Sequence, residues 1–225
     1  MDRAGSRIAL VSAVLACACA CGTGDVLPDA GDSDGDGGAS IDASGDGGGD
    51  LSALEIEFRT DPEIPGAAGG PLEPTFDHAV FQLANVRAVG DVAALMRDEF
   101  NLEFEDRDRP KLLYASAPPG VYSTLIGRVV SFDIDGTVRV GGETEEFEIK
   151  EAPSGQHNFV IMLEGATVEA GMTTRVEVRI HLRDIVESID WTMVESEDGK
   201  LEVDDDYPDF DAVLDQILAS FELKD

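Results

Sequence analysis

The sequence predicts a mostly β fold, an antiparallel β-sandwich with a C-terminal amphipathic helix, over residues 51–225. Three observations lead there. Short stretches rich in Val, Ile, Thr, Tyr and Phe follow one another at roughly 8–12-residue spacing, as in sandwiches. Gly, Pro and Asp-Gly turn signals separate them. Near the C-terminus the apolar period changes from two to that of a helix.

The stretch 117–136 (APPGVYSTLIGRVVSFDIDG) anchors the domain. Pro118 and Pro119 fix φ and remove two amide donors, so they belong to a turn. Val130, Phe132 and Ile134 then alternate with Ser131, Asp133 and Asp135, the pattern of a strand with one buried face. Gly127 is read as the site of a bulge, and Asp135-Gly136 as a hairpin turn.

Before the anchor, Leu54, Ile56 and Phe58 alternate with Glu55 and Glu57 as a first strand. The Gly/Pro-rich residues 60–75 form a loop. Residues 79–89 (AVFQLANVRAV) form a second strand, stopped by Gly90-Asp91. Residues 92–98 are read as a short helical turn or loop, and 102–104 and 112–114 as short strands. After the anchor come 137–140, a Gly141-Gly142 turn and 147–149. Residues 157–163 (HNFVIML) read as a strand buried on both faces. A short strand at 166–169 is bracketed by Gly165 and Gly171. In 173–182, Val176, Val178, Ile180 and Leu182 point inward. Ile189, Trp191 and Met193 alternate again, and Asp198-Gly199 makes a hairpin into Leu201 and Val203. Phe210, Val213, Leu214, Ile217, Leu218 and Phe221 form the helix stripe, with Asp206 or Asp209 as the cap.

The N-terminal residues predict an address. Arg3 and Arg7 precede nine apolar or small residues at 8–16 (IALVSAVLA), within the length of a signal-peptide core and too short for a bilayer span. Residues 1–16 are therefore read as a lipoprotein signal peptide. Val14-Leu15-Ala16-Cys17 resembles the lipobox of bacterial lipoproteins, departing from it at Leu15. The resemblance implies acylation of Cys17, with Cys19 and Cys21 as rivals, and a membrane anchor. No Asp follows the candidate cysteine directly, which points to the outer membrane. Residues 17–50 are read as a disordered tether, because their Gly/Asp/Ser composition buries too little apolar surface to offset ordering entropy. Asp32, Asp34 and Asp36 match the opening of a calcium loop. Ala43 stands where that loop needs a Glu, so they are weak metal candidates.

The chain has 225 residues and a formal net charge of −31. A field of that sign repels phosphate backbones, which excludes nucleic acid as a partner. All three Cys lie before residue 22, so the domain has no disulfide and no thiolate nucleophile. No catalytic motif is present, and His78, His157 and His181 show no ligand spacing. The expectation is a non-enzymatic envelope lipoprotein with no cofactor and an unidentified protein or glycan partner. The alternatives are a calcium-dependent adhesion or glycan-binding module, motivated by the acidic excess, and a secreted hydrolase using carboxylates; Trp191 and Tyr122 are the aromatics a sugar platform would use, though lone aromatics on strand patterns are usually core.

The order of segments from Ala117 to about Val203 resembles a family of uncharacterised bacterial lipoprotein domains. The shared features are Pro118-Pro119-Gly120-Val121-Tyr122, Asp135-Gly136, Gly165 and Gly171, the strand 175–182, and Ser188-Ile189. The resemblance implies a transthyretin-like or immunoglobulin-like sandwich and brings no catalytic residues.

Overall fold

The computed structural model describes residues 52–152, 157–197 and 199–224. The residues read above as a signal peptide and tether, with Cys17, Cys19, Cys21 and the Asp32, Asp34 and Asp36 motif, lie outside the described residues. The described chain is mostly β. Its strands are β1 (Ala53–Asp61), β2 (Gly66–Ala67), β3 (Thr75–Gly90), β4 (Ala94–Phe104), β5 (Lys111–Ala115), β6 (Gly120–Val140), β7 (Glu143–Glu151), β8 (His157–Val168) and β9 (Thr173–His181). Helix α1 (Leu182–Glu187), β10 (Ser196–Glu197), β11 (Lys200–Val203), α2 (Phe210–Ala219) and β12 (Phe221–Leu223) follow.

The strands form two sheets. The small one has the order β12-β9-β1-β5, and the large one the order β10-β11-β7-β6-β3-β2. β4 lies beside β3, and β8 beside β6. Most pairs are antiparallel, but β1–β9 and β11–β7 are parallel. The sheets face one another in a sandwich-like arrangement over one apolar cluster. Phe221 of the small sheet stacks on Phe159 of the large sheet at 5.0 Å and meets Phe81 edge-on at 5.4 Å. The Tyr114 hydroxyl on β5 donates to the Val86 carbonyl on β3 at 2.9 Å, so its buried polar tip is satisfied.

β6 is the organising strand, and its two halves have different neighbours. Residues 120–129 pair with β8, and 132–140 pair with β7, while β3 runs along the other side. Val130 is the extra residue of a bulge, because Gln82 pairs with Ser131 and Leu83 with Val129. The bulge switches which parity points inward, from Leu125, Gly127 and Val129 to Phe132, Ile134, Gly136 and Val138. α2 packs near the second half, where Phe210 stacks on Phe132, and Trp191 packs on Phe147.

Several expectations are corrected. Asp135-Gly136 is no turn: β6 runs straight through it. A Cβ at Gly136 would collide with the Thr75 carbonyl, so close strand approach explains this glycine. The hairpin lies at Gly141-Gly142, where both residues take positive φ. Gly127 is not the bulge; it faces the Phe159 ring. Residues 94–98 belong to β4, not to a helical turn or loop. β8 has only one buried face, since Val160 and Met162 are 59% and 61% exposed. It also continues through Gly165 to Val168, with a shift of register between Tyr122 and Thr124. Residues 182–187 form α1, and Ile189, Trp191 and Met193 lie on no strand. Phe221 is not the last turn of the helix. The Ser220 hydroxyl donates to the Ile217 carbonyl at 2.7 Å, and the chain then enters β12.

Candidate functional site

The two sheets carry different charge patterns on their outer faces. On the small sheet, register places Glu57 beside Glu177 and Glu55 beside Arg175. Arg59 Nη2 lies 2.7 Å from Glu57, and its Nε lies 3.4 Å from Glu177. Lys111 bridges Glu55 and Glu57 at 3.1 and 3.3 Å. Burial pushes the Glu57 carboxyl up, but Arg59 and Lys111 outweigh it and hold it below the usual range. This face is a ladder of balanced ion pairs.

The large sheet is less balanced, and its imbalance centres on β6. Asp133 and Asp135 alternate with the buried Phe132, Ile134 and Gly136, so both point outward. Register sets Lys150 beside Asp133, Glu148 and His78 on either side of Asp135, and Glu202 beside Glu148. One carboxylate oxygen from each of Asp133, Asp135 and Glu148 falls within 4.8 Å of the others. His78 Nδ1 lies 3.5 Å from Asp135, and Lys200 Nζ lies 3.6 Å from it. Lys150 Nζ sits 2.7 Å from both Glu148 and Glu202, which holds its ammonium above the usual lysine range.

Asp133 is the unmatched member. Its Oδ1 is inaccessible to solvent and has no hydrogen-bond partner. Burial pushes its carboxyl above the ordinary range, and the charges of Asp135 and Glu148 push it the same way. His78 and Lys150 oppose the shift without cancelling it. Three carboxylates at this spacing suit a hard cation with oxygen ligands. A shallow cleft of about 500 Å³ opens beside them, lined in part by Gln82, Ser131, Asp133, Lys150 and Asp204. A second hollow, of about 670 Å³, gathers Glu195, Glu202, Asp204, Asp206 and Tyr207. Asp204, Asp205 and Asp206 form another carboxylate group, where the Asp204 side chain accepts from the Asp206 amide at 3.0 Å.

Of the residues singled out in the sequence, His78 lies at this site, while the aromatic pair and His181 lie elsewhere. Tyr122 and Trp191 are both buried. The Tyr122 hydroxyl donates to the Pro118 carbonyl at 3.0 Å, and Trp191 Nε1 to the Val186 carbonyl at 2.9 Å. Neither offers a sugar platform. His181 lies 3.6 Å from Asp61 and 3.5 Å from Glu222 on the small sheet, whereas His78 is on the large sheet. Sequence reasoning did not find the Asp133, Asp135 and Glu148 group. Its one visible signal was the outward alternation of the two aspartates; Glu148 and His78 arrive only through strand register.

No family model matches the chain, and no curated protein matches it. Among solved structures, MbnP from Methylosinus trichosporium aligns over 72% of this chain and 86% of its own, at 12% identity and a TM-score of 0.46. A leucine-rich repeat protein from Bacteroides thetaiotaomicron aligns over 65% of this chain but only 17% of its own, at 14% identity and a TM-score of 0.21. At these values neither likeness assigns a family, a site or a function.

Proposed function

We propose that this chain is a lipid-anchored cell-envelope protein displaying a non-enzymatic β domain for binding or envelope structure. The observation that carries the reading is the order of its first fifty residues. Arg3 and Arg7, the apolar run 8–16, Cys17 and an Asp/Gly-rich stretch follow one another without interruption. A domain whose apolar cluster contains no cysteine agrees with this reading, since it leaves Cys17, Cys19 and Cys21 free of any structural duty there. Two or more acyl chains give stable anchoring where one does not. In this reading residues 1–16 are removed, 17–50 tether the domain 51–225, and the anchor lies in the outer membrane. Within the sandwich class, the transthyretin-like or immunoglobulin-like type remains part of the proposal.

The test is metabolic labelling with a clickable palmitate in a Gram-negative expression host. Wild type takes the label, and Cys17→Ser loses it while Cys19→Ser and Cys21→Ser keep it. Label retained by Cys17→Ser and lost in a rival variant moves the anchor; no label on wild type rejects lipidation.

A second reading, calcium-dependent binding, is favoured by the unpartnered Oδ1 of Asp133 beside Asp135 and Glu148. A cation there would relieve the repulsion that Lys150 and Lys200 leave uncompensated. Its test is a thermal melt of the full chain with millimolar calcium and then with chelator, for wild type and Asp133→Asn. Ligand at 100 times its Kd adds about 2.7 kcal/mol. A calcium-dependent rise in Tm that Asp133→Asn abolishes supports the site; equal melts reject it.

A further inference from the structure

The end of the sandwich where the chain enters the domain differs in chemistry from the opposite end. Ser52 and Ala53 are the first described residues. The Ser52 hydroxyl donates to the Ala117 carbonyl at 2.7 Å, and the Ala53 amide donates to the Met172 carbonyl at 3.0 Å. Entry is therefore pinned between loop 116–119 and loop 169–172. Loop 91–93 adjoins them. Asp91 Oδ1 accepts from the Val121 amide at 2.9 Å, and a Cβ on Gly120 would meet Val92. These loops and the first residues of β6 expose Val92 by 60%, Met172 by 56% and Val121 by 39%, and Pro118 and Pro119 are exposed as well. Their charged residues are Asp91 and Glu169, with no Lys or Arg. At the other end, the β4–β5 loop 105–109 reads Glu-Asp-Arg-Asp-Arg. Single exposed apolar side chains are ordinary, but several on adjoining loops around the entry point form a patch.

We propose that this tip docks on a zwitterionic lipid surface, the bilayer that holds the N-terminal anchor. The inference rests on the lipid-anchor reading. The occupant follows from where the chain enters: the segment leading to the anchor joins the domain at the tip itself. Only the 34 residues 18–51 separate Cys17 from Ser52, so the tip is the part of the domain nearest the anchor along the chain. Anchoring makes docking intramolecular, with an effective concentration in the millimolar range for short linkers. At such a concentration even contacts as weak as a Kd of about 1 mM give roughly half occupancy. The two acidic side chains and the absent cations favour zwitterionic over anionic lipid. Val92, Val121, Met172 and the two prolines are the groups that would enter the headgroup layer, with the balanced small-sheet face left in water.

The experiment uses the full acylated chain on phosphatidylcholine vesicles with brominated acyl chains. Val92→Trp adds an indole at the tip, and the native Trp191, buried beside Phe147, is the internal reference. Flotation is scored first, then emission. The expected result is flotation, with the new indole blue-shifted and quenched by about half and the Trp191 emission unchanged. Met172→Trp repeats the measurement from a second loop if the first variant folds poorly. Flotation without quenching from either position overturns docking and leaves the anchor intact. Failure to float overturns the anchor reading and docking with it. A blue shift that depends on protein density and not on bromination overturns the lipid occupant in favour of a second copy.

Discussion

Gly127→Ala is the substitution that separates close packing from backbone conformation as the reason for a glycine inside β6. The φ of Gly127 is not positive, so an alanine is allowed by the backbone. The obstacle is the ring of Phe159, whose Cε1 would lie 2.6 Å from the added Cβ. The ring cannot retreat freely, since it is buried and stacks on Phe221, which in turn meets Phe81. Overpacking a tight core costs about 1–3 kcal/mol. Losing a glycine's freedom from the unfolded chain returns about 0.4–1 kcal/mol. The net is a loss of about 1–2 kcal/mol, or roughly 2–8 °C in Tm for a domain of this size. Urea denaturation of Gly127→Ala, Phe159→Leu and the double variant measures it. Shrinking the ring makes room for the methyl, so the double variant is more stable than the sum of the single losses by about 0.5 kcal/mol or more. A neutral Gly127→Ala, or strict additivity with Phe159→Leu, would refute the packing explanation.

Three further outcomes follow from named contacts. Tyr114→Phe keeps the packing but removes the donor to the buried Val86 carbonyl, and loses about 1 kcal/mol in a urea melt. Lys150→Ala leaves Glu148 and Glu202 without the ammonium they share; it destabilises by about 0.2–1 kcal/mol, more at low than at high salt, as a titration of Tm with sodium chloride shows. Asp133 has a raised folded pKa, so the native state holds its proton longer than the unfolded chain does. Stability from this group is therefore greatest at low pH and falls as pH climbs from the ordinary carboxylate value, about 3.9, through the raised one. Asp133→Asn removes that decline. It also relieves like-charge contacts worth about 0.2–1 kcal/mol at pH 7, read from paired urea melts at pH 4 and pH 7.

The strand content was legible because alternation survives in single strands. Leu54, Ile56 and Phe58, and Val178 and Ile180, are inward as their pattern indicates. The failures share a cause: tertiary neighbours decide what a glycine or an apolar run means. Gly136 looked like half of a turn, yet its role is set by Thr75, sixty-one positions earlier in sequence. Val160 and Met162 looked buried because apolar residues fill both faces of that run, but only Phe159, Ile161 and Leu163 meet the core. Trp191 was read on a strand; it is buried after a six-residue helix too short to show a period. The parallel pairing of β1 with β9 joins segments about 120 residues apart and leaves no local trace. The carboxylate group was half legible: Asp133 and Asp135 share a face by period two, while Glu148 and His78 are supplied by neighbouring strands whose register depends on the correct position of the hairpin. A turn at Asp135-Gly136, as the Asp-Gly pair suggests, breaks β6 at this point and hides the group, whereas the strand runs on to Gly141-Gly142.

Intact mass spectrometry of the mature protein taken from bacterial membranes is the direct test of the proposed lipid anchor. The anchored protein is expected to begin at Cys17, with its N-terminal residue carrying a thioether-linked diacylglyceryl group and an amide-linked acyl chain. A mature chain that starts at another residue and carries no lipid would contradict it.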